Sequence, residues 1–108
     1  MDFQKISSHE ASNDGQSVFL FYDAEEGCYK AFGRSAYYAD MVANGRLAYS
    51  KHLQMPVMVL GKFAVMDLRR NMTIVEHIPH EYYRLKTKVK IGDAGYDRWK
   101  ETLAASNL

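Results

Sequence analysis

Cysteine, long hydrophobic runs and net charge are all scarce in this chain. Its one cysteine, Cys28, excludes an internal disulfide and agrees with a reducing compartment. No run approaches about 18 consecutive apolar residues, and the N-terminus has no apolar core after a basic start, so neither a membrane span nor a secretory signal is expected. The formal net charge of +1 excludes strong global attraction to nucleic acid, although a local basic patch stays open. We therefore expect a cytoplasmic protein with no membrane partner.

What is present indicates one globular domain. A chain of 108 residues suits a single domain spanning 1–108, and 47% hydrophobic with 25% charged residues is typical of a folded protein. The eight tyrosines are predicted mainly to fill a small core and its rim. A stacking surface for bases or for a protein partner is the alternative.

The first third of the chain predicts two strands joined by a turn. Residues 1–16 are polar and are expected to form a loosely ordered or partly helical lead-in. The run SVFLFY over 17–22 is apolar on both faces, which predicts a central strand. The acidic break at 23–27 ends in a glycine and predicts a hairpin turn, so that 28–32 is the returning strand.

The remaining elements follow from periodicity, caps and breaks. They are a helix over 36–43 capped by Ser35, strands over 47–53 and 55–60, a helix over 61–71, a strand over 72–78, a helix that begins at Pro79, and a terminal helix over 96–106. Residues 55–78 form a strand-helix-strand unit long enough for a right-handed parallel crossover. The order β-β-α-β-β-α-β-α-α predicts an α/β (α+β) fold, with a mixed sheet flanked by helices.

The stretch LFYDAEEGCYKAFGRSA, residues 20–36, resembles the N-terminal, mismatch-recognition domain of the MutS DNA mismatch-repair family. In that family the stretch reads roughly L-F-(F/Y)-R-x-G-D-F-Y-E-x-F-x-x-D-A, with one residue fewer in the turn. The segments MPVMVLG, KFAVMDLRR and MTIVEHI then follow in the family's order, so the resemblance covers residues 17–78. It implies the family's fold for this core, which is followed here by C-terminal helices over 79–108.

Two positions depart from the family's pattern where its function lies. The phenylalanine that stacks on a mispaired base corresponds to Cys28, the glutamate that contacts the base corresponds to Lys30, and only Tyr29 between them agrees. Cysteine has no ring, and lysine replaces an acceptor with a charged donor. The chain also has no G-x-x-x-x-G-K-(S/T) phosphate loop. The resemblance thus implies a degenerate stand-alone relative that keeps the fold without mismatch reading.

Three clusters contain residue types used in catalysis or metal binding, and none reaches a full site. The HIPHE segment at 77–81 has two histidines but no obvious third or fourth ligand, which zinc requires. Cys28 shares a strand face with Lys30, but a nucleophile also needs a base and an orienting group. The acidic turn at 23–27 is interpreted as solvated. We expect no metal, no cofactor and no catalytic residue.

A basic patch is the best candidate for nucleic-acid contact. Arg69 and Arg70 would merge with the basic stretch after Pro79 if the two predicted helices lie side by side, and Tyr82 and Tyr83 would add stacking surface. Together with two positions of the resemblance, the candidate nucleic-acid-binding residues are Tyr29, Lys30, Arg69, Arg70, Arg84, Lys86 and Lys88. The alternative is that these cations serve helix ends and solubility.

The function expected from these patterns is that of a non-catalytic binding or accessory module for a protein partner. The net charge is near zero, and clustered tyrosines and methionines suit protein interfaces. The first alternative is weak, sequence-nonspecific nucleic-acid binding through the basic patch. The second alternative is a small enzyme that uses Cys28 or His77. A homodimer stays open.

Overall fold

Ten helices and strands make up residues 1–106, the part of the chain that the computed structural model describes. The helices are α1 (Phe3–Ala11), α2 (Arg34–Asp40), α3 (Lys62–Asn71) and α4 (Tyr96–Ser106). The strands are β1 (Ser17–Asp23), β2 (Cys28–Phe32), β3 (Arg46–Ser50), β4 (Met55–Leu60), β5 (Thr73–Ile78) and β6 (Tyr82–Lys86). They form one open six-stranded sheet in the order β3-β4-β2-β1-β6-β5, so the expected α+β class is confirmed. None of the helices in this described range is long and apolar enough to cross a membrane.

β1 is a central strand, as its sequence predicts. Residues 17–21 are buried, and β1 pairs with β2 on one side and with β6 on the other. The pairing with β2 covers only residues 21–23, next to the turn. Where β2 diverges, the Ser35 hydroxyl accepts a hydrogen bond of 3.0 Å from the Phe19 N–H. Ser35 therefore satisfies the strand backbone instead of capping α2.

The acidic break is a hairpin turn, as predicted. Gly27 has a φ of 66°, a left-handed conformation that favours glycine. The Asp23 carboxylate accepts a hydrogen bond of 3.0 Å from the Glu25 N–H, which fixes the turn locally. The strands that leave this turn pair in register, with Tyr22 opposite Tyr29.

Alternation along the strands divides the sheet into two faces, each with its own core. The α1 face is covered by α1, and its buried cluster is Ile6, Phe19, Phe21, Phe32 and Tyr82. The α3 face is covered by α2, α3 and α4, and its fully buried side chains include Val18, Leu20, Tyr38, Met58, Leu60, Leu68 and Leu85. The side chains of neighbouring residues on a strand therefore lie on opposite faces of the sheet.

Residues 1–16 contain a capped helix where a loosely ordered or partly helical lead-in was expected. Asp2 caps α1 by accepting a hydrogen bond of 3.0 Å from the Lys5 N–H. Ile6 is buried in the α1-face core. Glu10 is also buried, and its carboxylate accepts hydrogen bonds from the N–H and the hydroxyl of Ser35. One apolar side chain and one buried carboxylate thus dock a segment that is otherwise polar.

The parallel crossover predicted between β4 and β5 is wrong. Every strand pairing in the described sheet is antiparallel, where a mixed sheet was expected. β4 and β5 run in the same direction, but β2, β1 and β6 lie between them. β5 pairs with β6 alone and is therefore an edge strand. α3 crosses the face of the sheet and contacts both β4 and β5.

The helix predicted to begin at Pro79 is wrong as well. Pro79 and His80 lie in the turn between β5 and β6, where His80 has a φ of 56°. The segment that follows is β6, in which Tyr82 packs in the α1-face core and Tyr83 in the α3-face core. Tyrosine favours strands, and a helix would not place two neighbouring tyrosines in two separate cores.

Candidate binding groove beside α3

The cations of the predicted basic patch are divided between the two faces of the sheet. Lys30, Arg84 and Lys86 lie on the α1 face, Arg69 and Arg70 lie on α3, and Lys88 is exposed in the loop after β6. The single patch required a helix after Pro79. Because that segment is β6, the two groups of cations do not merge. Nucleic-acid binding by any of them stays a prediction.

Lys30 is held by two carboxylates at the β1–β2 turn. Its ammonium lies 2.9 Å from Asp23 Oδ2 and 3.3 Å from Glu26 Oε1. The hydrogen bond from Lys30 lowers the pKa of Asp23, so the ion pair persists at neutral pH. A phosphate at this position would meet two carboxylates, which repel it. Lys30 therefore stabilises the turn.

Arg84 and Lys86 are paired with carboxylates in the same way. Arg84 nitrogens lie 3.8 Å from Asp14 Oδ2 and 3.8 Å from Glu76 Oε1. Lys86 Nζ lies 3.5 Å from the same Asp14 oxygen. Burial alone would raise the pKa of Asp14, but a hydrogen bond from the Gln16 N–H and the charge of Lys86 lower it. The charges of Lys30, Arg84 and Lys86 are thus largely neutralised.

An open groove of about 470 Å³ lies beside α3 on the opposite face. α3 forms one wall, and the β1–β2 and β5–β6 turns form the other. Its principal lining side chains are Tyr22, Tyr29, Val65, Met66, Arg69 and His80, and these define the α3 groove. The volume falls within the range of ligand-binding clefts, about 300–1,000 Å³.

Aromatic rings hold one another in place at the floor of the α3 groove. The ring centroids of Tyr22 and Tyr29 are 5.1 Å apart, and those of Tyr29 and Tyr83 are 5.2 Å apart. His77 stacks on Tyr83 with centroids 3.9 Å apart and planes inclined by 6°. His80 meets the ring of Tyr22 edge-on at 5.5 Å. Each ring is fixed by a neighbour, so the floor is formed before any ligand arrives.

The groove cations lack the carboxylate partners found on the α1 face. Within residues 1–106, no ion pair joins Lys62 or Arg69 to a carboxylate. The Arg69 guanidinium lies 5.9 Å from the ring centroid of Tyr83. The neighbouring Arg70 side chain is 71% exposed and lies 3.9 Å from Asp67. Because the groove lining contains no aspartate or glutamate, the site favours an anionic group.

Cys28 lies at the edge of the groove, but its side chain shares the strand face of Lys30 and its surroundings do not activate the thiol. Burial and the neighbouring Glu26 raise the pKa of the thiol despite the opposing charge of Lys30. A thiol with a raised pKa is a poor nucleophile at neutral pH. His77, the other candidate for catalysis, stacks on Tyr83. Over the described residues 1–106, no group of three His, Cys, Asp or Glu side chains is placed to hold a metal ion.

Met66 and His80 were not assigned to a binding surface from the sequence, and only Met66 leaves a signal there. Val65 and Leu68 on α3 are buried, whereas Phe63 is 78% exposed and Met66 is 36% exposed. Phe63 and Met66, three residues apart, form a second apolar stripe that can be read in KFAVMDLRR. His80 reaches the groove through the conformation of the β5–β6 turn, for which the sequence has no comparable signal.

Comparisons with protein-family models, with curated proteins and with solved structures find no match for this chain. Its function is therefore inferred from the groove itself.

Proposed function

We propose that this chain is a non-catalytic binding or accessory module whose α3 groove binds an acidic segment of a protein partner. One observation carries the proposal. Tyrosine rings, an exposed methionine and cations without carboxylate partners line the same open groove. Such a groove offers apolar contact area together with charge attraction to carboxylates.

A protein segment suits this surface better than a nucleic acid. Tyrosine, methionine and arginine are enriched at protein interfaces. Phe63, which is 78% exposed on the outer side of α3, extends the apolar surface beyond the groove. Nucleic-acid affinity depends on several cations that contact phosphates. With Lys30, Arg84 and Lys86 paired to carboxylates, this side of the sheet supplies mainly Lys62 and Arg69 in the groove and Arg70 next to it.

We include in this proposal a distant relation to the N-terminal domain of the MutS family. The order of elements from β1 to β5 agrees with the order on which the resemblance over 17–78 rests. Lys30 forms ion pairs with Asp23 and Glu26, and Cys28 has no aromatic ring that could stack on a base. Both features support a module without mismatch reading. A cytoplasmic location belongs to the same proposal, and a homodimer stays open.

Selection from a display library of random 12-residue peptides tests the groove. Peptides are selected on the wild-type chain and then measured on Arg69→Glu and on the control Arg98→Glu, which changes an exposed arginine of α4. We expect enrichment of acidic peptides that bind the wild type and Arg98→Glu. Binding to Arg69→Glu should weaken about tenfold or more, because like charges then meet in the groove.

A labelled single-stranded oligonucleotide is measured in parallel at roughly 50 and 200 mM salt. If it binds with steep salt dependence while no peptide shows sensitivity to Arg69→Glu, the partner is a nucleic acid and the proposal fails. If the selected peptides bind Arg69→Glu and Arg98→Glu equally well, the groove is not the binding site.

A further inference from the structure

Within residues 1–106, no strand pairs with the outer edge of β5. β5 is the last strand of the sheet, and all six of its residues are exposed. Three of them are large and apolar, with Ile74 at 40%, Val75 at 47% and Ile78 at 45% exposure. An edge strand presents a row of backbone N–H and C=O groups that a further strand can pair with. At the opposite edge, by contrast, α4 packs against β3.

A second depression of about 290 Å³ joins this edge to the α3 groove. It is lined by Met66, Arg69, Arg70 and Ile74. Met66 and Arg69 also line the α3 groove, so the two depressions adjoin. A chain segment that runs along β5 therefore lies beside the side chains that we propose bind the partner.

The charges on the two sides of the edge differ. On the α1 side, Glu76 of β5 lies 3.8 Å from Arg84, so charge is balanced there. On the α3 side, Arg69 has no ion pair within residues 1–106, and Arg70 has only the contact of 3.9 Å with Asp67. A segment paired with β5 would place alternate side chains on each side. Those on the α3 side meet two arginines, which favours carboxylates at these positions.

The irregularity of β5 favours a short foreign segment over a second copy of this chain. The pairing of β5 with β6 shifts register between Ile74 and Glu76, which marks a bulge at Val75. A bulge bends and twists an edge, and this discourages the long flat pairing of two identical edges. The regular stretch from Glu76 to Ile78 is still long enough to anchor a few residues of a peptide.

We propose that β5 accepts the partner's acidic segment as a seventh strand, with carboxylates directed at Arg69 and Arg70. This inference rests on the proposed function and adds how the segment is held. Main-chain hydrogen bonds to β5 supply part of the affinity, and alternate side chains supply the selectivity. On the α3 side the side chains of the segment, two residues apart, are acidic, whereas those on the α1 side are apolar.

The probe is a blocked octapeptide in which valine and glutamate alternate. It is titrated into the full-length, ¹⁵N-labelled chain, and amide shifts and hydrogen exchange are recorded. Two matched peptides are the controls: one with lysine in place of glutamate, and one with a central proline, which lacks the N–H needed for strand pairing. The protein variants are Arg70→Glu and the control Arg98→Glu.

We expect shifts and slowed exchange at residues 73–78, together with shifts on α3 near Arg69 and Arg70. The proline peptide, the lysine peptide and the Arg70→Glu variant should each weaken binding about tenfold or more, and Arg98→Glu should leave it unchanged.

Three results would overturn strand addition. If the peptide shifts Tyr22, Tyr29 and His80 but leaves β5 unchanged and tolerates proline, the groove binds peptides and only strand addition fails. If residues 73–78 respond to protein concentration without peptide, the edge belongs to a second copy of the chain. If no binding to β5 is seen at millimolar peptide, β5 is not an acceptor strand, whatever the peptide selection on the groove finds.

Discussion

The two faces of the sheet differ in how they use their cations. On the α1 face, Lys30, Arg84 and Lys86 each lie within 3.8 Å of a carboxylate oxygen. On the α3 face, Lys62 and Arg69 have no such partner in residues 1–106, and they lie beside exposed rings and apolar side chains. A count of lysines and arginines along the chain does not distinguish these situations. On the α3 face, positive charge lies at the groove and is available to a ligand.

The difference follows from where each cation lies on its element. The acidic β1–β2 turn and Asp14 bring carboxylates to the α1-face cations. α3 carries Arg69 and Arg70 at its C-terminal end, where cations also interact favourably with the helix dipole. The α1-face pairs therefore stabilise turns and strand ends, while the α3-face cations serve both the helix and a ligand.

The largest expected effect on stability distinguishes the buried side of α3 from its exposed side. Leu68 is fully buried, whereas Phe63 is 78% exposed. Leu68→Ala should lower the free energy of unfolding by about 2–5 kcal/mol, since it leaves a cavity in the α3-face core. Phe63→Ala should change it by no more than about 0.5 kcal/mol. Urea denaturation measures both, and equal costs would contradict the assignment of Phe63 to a binding surface.

The buried carboxylate that docks α1 should make stability depend on pH. Burial raises the pKa of Glu10 to about 7, against the lowering effect of its hydrogen bonds with Ser35. Because the folded state holds the proton more tightly than the unfolded state, this contribution is fully present below about pH 4.5 and is lost as the pH rises through 7. The expected loss is on the order of 3 kcal/mol.

Glu10→Gln tests this dependence, because glutamine does not titrate. The variant should show a flatter free energy of unfolding between pH 5 and 8, with the gain over the wild type concentrated at the upper end. Glu101→Gln, at an exposed position of α4, is the matched control and should follow the wild type. A wild-type chain whose stability does not fall across this range would show that Glu10 titrates normally.

A smaller effect is expected from the ion pairs of the α1 face. Lys30→Met removes the contacts with Asp23 and Glu26. Such pairs near the surface contribute about 0–1 kcal/mol, so the free energy of unfolding should fall by no more than that. Peptide binding should be unchanged, because Lys30 lies on the face opposite the groove. A loss of binding in a folded Lys30→Met variant would show that the ligand binds on the α1 face, and this would contradict the α3 groove as the binding site.

The smallest effect concerns the thiol of Cys28, at the end of the β1–β2 turn. The pKa of Cys28 is raised by burial and by Glu26, so less thiolate is present than in a free cysteine at the same pH. Alkylation by iodoacetamide at pH 8 should be slower in the folded chain than in the same chain unfolded in urea. Equal rates in the two states would mean that burial and Glu26 do not perturb the thiol in the folded chain.

Much of the fold could be predicted from the sequence, and the errors share one cause. β1, the hairpin turn, α3 and α4 each have a strong local signal, and all are present as expected. A helix was predicted in place of β6 because Pro79 suits the first turn of a helix, and YYRLK carries no clear alternation of apolar and polar residues that would indicate a strand. Its two tyrosines both act as core residues, since Tyr82 packs in the α1-face core and Tyr83 packs in the α3-face core. Strand pairing over a long sequence separation decides such a segment, and local pattern does not report it.

The site was less predictable than the fold for the same reason. The proposed basic patch combined residues from α3 and β6 that lie on opposite faces once β6 is a strand. Tyr29 and Arg69 were named from the sequence and do lie at the groove. His80 was considered only as a metal ligand, and its place in the groove and the burial of Glu10 follow from the turns and from α1.

The most direct test compares one cation from each face. Binding of the valine–glutamate octapeptide is measured by fluorescence anisotropy for the wild type, Arg69→Gln and Arg84→Gln, after each variant is shown to be folded. Our account predicts weaker binding by about fivefold or more for Arg69→Gln, since a lost charge contact to a carboxylate is involved, and wild-type affinity for Arg84→Gln. Equal losses in both variants, or a loss confined to Arg84→Gln, would contradict it.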